Sequence, residues 1–207
     1  MLSTRIRRRV SRLLLSLFVI MPGGFAMAGS IEEPEYTLVE KFGPVEIRRY
    51  EPTIQAVTRL KHNGQTSSGF QRLAGYIFGG NQTSESIAMT APVQETLGVM
   101  EPEMAFTMPA AYAMEDLPAP QDGRVELREV PARYSAVISF SGWATSSKVT
   151  RYKRELMDEL SEQGIDAVGA SSLNQYNPPW TLPFLRRNEV MVDIEWVEGA
   201  EALALAP

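Results

Sequence analysis

Hydrophobic and polar residues alternate along several short stretches of the chain, as they do in β-strands with one buried face. YTLVEKFGPVEIRRY contains two such stretches, and Gly43-Pro44 between them predicts a turn that joins paired strands. TIQAVTRL predicts the third strand. Further strands are predicted in SIAMTAPVQE, EMAFTMPA, VELREV, ARYSAVISF, LNQY and NEVMVDIEW. Pro92 is expected at the edge or end of its strand, because it cannot donate a ladder hydrogen bond.

Two other stretches have the period of an amphipathic α-helix. In the first, TSSG supplies capping residues and Gly79-Gly80 predicts the end of the helix. One face of this helix carries the apolar residues Phe70, Leu73, Ala74, Ile77 and Phe78. The second helix is predicted over residues 147–163, and Gly164 ends it.

A faint internal repeat links these elements. IQAVTRL, a TSS sequence and a glycine-terminated helix occupy residues 54–80, and YSAVISF, a second TSS and a second such helix occupy residues 134–164. Each copy is followed by two predicted strands. The order β-α-β-β, found twice, predicts one α+β domain with a curved, mostly antiparallel sheet and two helices. No linker is long enough to divide the chain of 207 residues.

The N-terminus and the net charge bear on location and partners. Residues 1–28 contain five arginines, no acid, the apolar run LLLSLFVIM and the ending AMA, which is the layout of a secretory signal peptide cleaved after Ala28. An uncleaved anchor is the alternative. The remaining chain has 15 basic and 25 acidic residues, a net charge of −10, which disfavours nucleic acid and anionic membranes as partners. We therefore predict a periplasmic or secreted protein without a stable membrane span after cleavage.

Several kinds of catalytic and metal site are disfavoured by residues that the chain lacks. It has no cysteine, which excludes disulfides and thiol catalysis, and His62 is its single histidine. A Ser-His-Asp triad or a multi-histidine metal site therefore has no basis. FGGN ends a helix rather than beginning one, so it forms no phosphate-binding loop. The prediction is a protein that is not an enzyme, with a hydrolase that uses Glu or Tyr as its base as the alternative.

Gly75 is unusual because it lies in the middle of the first predicted helix, on the side of Gln71 and Arg72. A glycine there costs about 1 kcal/mol relative to alanine. It either packs against a neighbouring strand, is simply tolerated, or opens a shallow groove for a flat ligand.

The segment QYNPPWTLPFLRRNE is a second unusual feature. Its prolines stiffen it, and Tyr176, Trp180 and Phe184 offer flat apolar surface. Arg186 and Arg187 either bind the carboxylates of a ligand or form internal ion pairs.

Seven segments, in order, resemble the SOUL/haem-binding protein family. They are VEIRRYEP, GFQRLAGYIFGGN, IAMTAPV, FTMP, LPAPQDGRVELREVPAR, FSGWA and YNPPWTLPFLRRNEV. The resemblance covers residues 35–196 and leaves a signal peptide over 1–28, a linker over 29–34 and a loose tail over 197–207. It implies a duplicated unit whose antiparallel sheet forms a distorted β-barrel with two flanking helices.

The resemblance also implies non-covalent binding of haem or a related tetrapyrrole by a monomer, for buffering or carriage. The binding site would be an exposed apolar groove beside the first helix. Carried onto this chain, the site residues are Gln71, Arg72, Gly75, Tyr76, Tyr176, Trp180 and Arg186, with Arg72 and Arg186 expected at the propionates.

The iron ligand does not carry over from the family. Arg49 occupies the position of the histidine proposed as axial ligand in the IR-x-Y strand of some members. His62, Tyr76, Tyr176 or a methionine remain as candidates. The alternative to haem binding is a general apolar small-molecule module, similar to the effector-binding domains of bacterial regulators. An enzyme acting on a lipophilic or tetrapyrrole ligand is a further alternative.

Overall fold

Nine strands, two α-helices and two short 3₁₀ helices form the described part of the chain, residues 31–61 and 66–197 of a computed structural model. The strands are β1 (Tyr36–Phe42), β2 (Val45–Tyr50), β3 (Thr53–Arg59), β4 (Val93–Thr96), β5 (Glu103–Thr107), β6 (Val125–Val130), β7 (Arg133–Phe140), β8 (Ala167–Gln175) and β9 (Asn188–Ile194). The α-helices are α1 (Thr66–Ile77) and α2 (Ser146–Glu162), and the 3₁₀ helices are Met114–Asp116 and Pro183–Leu185. The predicted signal peptide, His62 and residues 198–207 of the predicted tail lie outside the described residues.

The strands form a single antiparallel sheet in the order β1-β2-β7-β9-β8-β4-β5-β3-β6. The sheet curls into a half-barrel, and the described residues from Ile31 onward form one compact unit. The prediction of an α+β fold with a curved antiparallel sheet and two helices is therefore confirmed.

The sheet order also confirms the internal repeat. One copy is β3-α1-β4-β5 and the other is β7-α2-β8-β9, and they meet where β4 pairs with β8. The strand before each copy pairs with the other copy: β2 pairs with β7, and β6 pairs with β3. This exchange of strands joins the two copies into one sheet.

Each helix packs on its own half of the same face of the sheet. Leu73 and Ile77 of α1 are buried in a core whose members include Met104, Phe106 and Met108. Leu156 and Leu160 of α2 are buried in a second core with Ile138, Phe140 and Val190. The alternate residues of the strands, such as Glu189 and Met191 of β9, point to the opposite, concave face.

The end of α1 differs from the prediction. Phe78 was expected on the apolar face, but α1 ends at Ile77 and the Phe78 side chain is 65% exposed. The chain turns at once, because Gly79 adopts a φ of +102° that favours glycine. Ile87 is buried instead, and its amide donates to the carbonyl oxygen of Ile77 at 2.8 Å.

The strand predicted in SIAMTAPVQE is also shorter than expected. It begins only at Val93, and the residues before it are irregular apart from a bridge between Phe78 and Ser86. Pro92 stands immediately before β4, joined to Ala91 by a cis peptide bond. The expected place of Pro92 at a strand end is confirmed, because a proline cannot extend the ladder.

Candidate functional site

A groove of about 430 Å³ lies between α1 and the turn that precedes β6. It is lined by Ser68, Gln71, Arg72, Gly75, Tyr76, Gly80, Gln121, Asp122 and Arg124. The structure thus brings together four of the predicted site residues, all from α1. Tyr76 is the one aromatic side chain in this lining, so the groove is more polar than the apolar groove that we expected.

Gly75 leaves the groove open. A Cβ atom at this position would have no heavy atom within 4 Å, which contradicts the interpretation that Gly75 packs against a strand. Gly80 has the opposite role, because its amide donates to the Gly75 carbonyl oxygen at 2.8 Å and a Cβ there would lie 2.6 Å from that oxygen. Gly80 therefore serves the fold, whereas Gly75 provides space.

Two arginines and one carboxylate set the charge of the groove. Arg72 is fixed in place: its Nε donates to Thr58 Oγ1 at 2.9 Å and its Nη2 to the Arg59 carbonyl oxygen at 2.6 Å. Arg124 donates two hydrogen bonds to Asp122, at 2.9 and 2.7 Å. These bonds lower the pKa of Asp122 to about 2, so it remains ionised at neutral pH. Two cations and one anion leave the rim with a positive charge.

Tyr76 forms a wall of the groove. Its side chain is buried, and its hydroxyl donates to the Pro118 carbonyl oxygen at 3.0 Å. Burial, followed by the charge of Glu85, raises the pKa of Tyr76 to about 12. The phenol is therefore neutral and already hydrogen-bonded, which makes it a poor candidate for an iron-ligating phenolate.

Tyr176 lies elsewhere, on the concave face. Its hydroxyl donates to Glu189 Oε2 at 2.7 Å, and the Arg187 guanidinium stacks 3.5 Å from the centre of its ring. Burial and the charge of Glu189 raise the pKa of Tyr176. Arg187 also pairs with Glu33, so the internal-pairing alternative holds for this arginine.

Glu189 is the centre of a buried polar network. Its carboxylate is 2% exposed and accepts from Arg48 at 3.1 and 3.3 Å and from Ser139 at 3.2 Å. Arg48 in turn donates to Glu46 at 2.7 and 2.9 Å. Lys41 also pairs with Glu46, and Arg187 pairs with both Glu189 and Glu33, so three cations balance three carboxylates. We therefore assign this network to the stability of the concave face.

Trp180 and Arg186 do not line the groove either. They belong to the connection between β8 and β9, where the Arg186 guanidinium lies 3.8 Å from the centre of the Trp143 ring. Arg186 also donates to the Thr181 carbonyl oxygen at 2.9 Å and to that of Pro179. Trp180 is 82% exposed. The predicted site residues therefore fall into three separate places.

Gln121, Asp122 and Arg124 were missed as groove residues by the sequence reasoning. They come from the turn in LPAPQDGRVELREV, which supported the family resemblance without suggesting a role. Their one signal is the Asp-x-Arg spacing, which allows the local ion pair seen here. Nothing in the sequence indicates that this turn meets α1.

A second, larger cavity of about 1100 Å³ lies at the end of the sheet where the N-terminal segment meets the turns after β2 and β6. Its lining includes the apolar residues Ile54, Met108, Pro131 and Ala132. Its six charged residues are all glutamates: Glu32, Glu33, Glu35, Glu51, Glu115 and Glu129. This cavity combines apolar walls with a negative charge.

Residues 31–61 and 66–197 contain no group of three or more His, Cys, Asp or Glu side chains placed to hold a metal ion. None of their helices is long and apolar enough to cross a membrane.

Solved structures share this fold at low sequence identity. The C-terminal domain of EcmrR aligns with a TM-score of 0.58 and 12% identity, over 78% of this chain and 99% of that domain. A hydrolase from Listeria innocua aligns with a TM-score of 0.53 and 12% identity, over 74% of this chain and 94% of the hydrolase. At such identities the likeness concerns the fold alone.

Sequence comparison identifies the family. No curated protein shows significant similarity to the chain. The sequence model of the SOUL heme-binding proteins matches residues 31–193, which include all of α1, the groove and nearly all of the sheet. The chain therefore belongs to the SOUL heme-binding protein family.

Proposed function

We propose that this protein binds haem or a related tetrapyrrole non-covalently in the groove beside α1, and that it buffers or carries this ligand in the periplasm or outside the cell. Membership of the SOUL family supports a tetrapyrrole as the ligand class. The observation that supports this groove as the binding site is the open space at Gly75, where a flat ligand can approach the helix backbone.

The groove suits the carboxylates of a tetrapyrrole. Its volume of about 430 Å³ lies within the range usual for small-molecule sites. Arg72 and Arg124 supply guanidinium groups, which pair well with carboxylates. The two hydrogen bonds of Arg72 go to neutral oxygens, so it can bind a ligand carboxylate without breaking either of these bonds to form an ion pair. Asp122 repels a propionate, so Arg124 is the weaker of the two.

The groove suits the iron less well. Its lining contains no histidine, cysteine or methionine, and the Tyr76 hydroxyl is occupied by Pro118. Binding through the macrocycle and its carboxylates then depends little on the metal. We therefore expect metal-free protoporphyrin to bind about as well as haemin. His62 lies outside the described residues, and its part is tested by His62→Ala.

Titration of haemin and of metal-free protoporphyrin into the chain from Ile31 onward tests the proposal. Both should bind saturably, as seen by a Soret shift for haemin and by quenching of the porphyrin's own fluorescence. Gly75→Trp should abolish both, whereas the matched control Gly75→Ala should bind both, because a methyl group fills little of the groove. Absence of saturable binding, or binding that is unchanged in Gly75→Trp, would refute the proposal.

The rim charges provide a second, independent readout. Arg72→Gln should weaken tetrapyrrole binding, whereas Asp122→Asn should strengthen it by removing a carboxylate that repels the propionates. If the two variants changed the affinity in the same direction, the propionates would not be bound at this rim.

The acidic cavity favours a second candidate function, the binding of an apolar cation. Its volume is about 1100 Å³, its walls are apolar, and glutamates are its only charged residues. These charges attract a lipophilic cation and repel the propionates of haem. Crystal violet should therefore bind without displacing haemin, and the double variant Glu115→Gln/Glu129→Gln should weaken it and leave haemin binding intact. Competition between the two ligands would place them in one site.

A further inference from the structure

Large apolar side chains are concentrated on the surface in one connection, residues 176–187 between β8 and β9, which we call the Trp180 loop. Its exposed side chains are Trp180, Leu182, Phe184 and Leu185, with exposed fractions of 82, 56, 71 and 62%. Trp143, which touches the loop through Arg186, is also exposed. A contiguous exposed apolar surface in a globular protein marks an interaction site.

The loop holds these side chains outward. Pro178, Pro179 and Pro183 restrict its backbone. Arg186 stabilises the loop, because its guanidinium donates to the Thr181 carbonyl oxygen and stacks on the Trp143 ring. The apolar residues are therefore presented on a stiff support, and little conformational entropy is lost when they are buried by a partner.

Positive charge surrounds the base of the loop. Arg186 and Arg187 end it, and Lys148 at the start of α2 donates to the Ser141 carbonyl oxygen, beside Trp143. The charged residues of the first half of α2 are all basic, Lys148, Arg151, Lys153 and Arg154, whereas those of its second half are all acidic. The basic first half of α2 begins beside the loop, at Lys148, so positive charge is present at the base of the loop.

The chain also enters the domain at this place. Glu33 pairs with Arg187 at the end of the Trp180 loop. The segment upstream of residue 29 is the one in which the sequence predicts a basic and apolar leader. Glu33, near the first described residue, and the Trp180 loop therefore lie on the same side of the domain.

From these observations we propose that the Trp180 loop docks this protein on the surface of an anionic lipid membrane. Trp180, Leu182, Phe184 and Leu185 insert at the level of the headgroups, where tryptophan and other large apolar side chains are favoured. The basic residues at the base of the loop face the lipid phosphates. Docking in this orientation leaves the groove beside α1 on another part of the surface, so it does not depend on the tetrapyrrole proposal.

Co-sedimentation with vesicles tests this docking, using the chain from Ile31 onward so that no leader contributes. The protein should bind vesicles that contain phosphatidylglycerol more tightly than vesicles of phosphatidylcholine alone. Trp180→Ser should weaken binding at least about tenfold, as expected for loss of an aromatic side chain that the membrane would largely bury. Trp180→Phe should retain most of the binding, because phenylalanine inserts as well. Phe78→Ser is the matched control, since Phe78 is 65% exposed beside α1 and should not matter.

The charge contribution is separable from the apolar one. Lys148→Gln/Arg151→Gln should weaken binding to anionic vesicles by about fivefold for each charge near the surface, and leave binding to neutral vesicles unchanged. Arg59→Gln, which removes an exposed charge at the far end of β3, should have no effect. Three results would overturn the proposal: no binding to anionic vesicles, an equal loss in Phe78→Ser, or a homodimer that Trp180→Ser dissociates in the absence of vesicle binding.

Discussion

Substituting Gly75 and Gly80 by alanine should change the stability of the protein in opposite directions. Both glycines line the groove, and both lie in or just after α1. At Gly75 the added methyl group meets no heavy atom within 4 Å. Gly75 lies in the last turn of α1, so Gly75→Ala should raise the free energy of unfolding by up to about 1 kcal/mol through helix propensity and a smaller backbone entropy loss.

At Gly80 the same change produces a clash. The new Cβ would lie 2.6 Å from the Gly75 carbonyl oxygen, a backbone atom that already accepts from the Gly80 amide. To relieve the contact the chain must stretch this hydrogen bond and move the end of α1. Gly80→Ala should therefore lower the free energy of unfolding by about 1–3 kcal/mol, the usual cost of overpacking.

Urea unfolding followed by circular dichroism measures both effects. In thermal unfolding, Gly75→Ala should raise Tm by up to about 4 °C for a domain of this size. A destabilised Gly75→Ala would mean that the groove is filled by the protein itself, and the proposed ligand site would lose its physical basis. A Gly80→Ala variant as stable as the wild type would show that the chain leaves α1 by another path.

Three further predictions concern polar groups. Glu189→Leu should cost at least about 2 kcal/mol in urea unfolding, because it leaves the Tyr176 hydroxyl without its acceptor and Arg48 with Glu46 as its remaining carboxylate; adding Arg48→Met should recover part of this loss, and full additivity would contradict the pairing. Asn81→Ala should cost at least about 2 kcal/mol, since its fully buried amide holds the turn after α1; unchanged amide exchange at Tyr76 and Ile77 would contradict this role. Asp122→Asn should cost less than about 1 kcal/mol at pH 6, because the pair is exposed; since the folded pKa of about 2 lies below the ordinary 3.8, the difference should vanish as the pH falls from 4 to 2, and a difference that grows would refute the pairing.

The types of the elements could be predicted because they depend on local periodicity. Leu156 and Leu160 repeat at helical spacing and are buried, and Met104, Phe106 and Met108 alternate and are buried on one side of β5 and its extension. The order of the strands could not be predicted in the same way. The pairing of β2 with β7 joins segments that are far apart in the chain, and no local pattern records it.

The candidate site was predictable only in part, for a related reason. Helical spacing alone places Gln71, Arg72 and Gly75 on one side of α1, and the structure shows them in one groove. Arg124 enters the groove through a tertiary contact, which spacing does not reveal. Tyr176 and Arg186 were assigned to the same groove by resemblance, yet their bonds to Glu189 and to the Thr181 carbonyl tie them to other parts of the molecule.

The duplication shows that the open space at Gly75 of α1 has no counterpart at the matching position of α2. Aligning the TSS sequences of the two copies matches Leu73 and Ile77 of α1 with Tyr152 and Leu156 of α2, so the helices bury corresponding faces. In the same alignment, Arg154 of α2 is the residue equivalent to Gly75 of α1. A long charged side chain thus stands in the second copy where the first copy has no side chain at all. Since the backbone framework is shared, the open groove is a property of the first copy's residues. Selection for packing alone does not account for Gly75, because alanine would fit there and favour the helix.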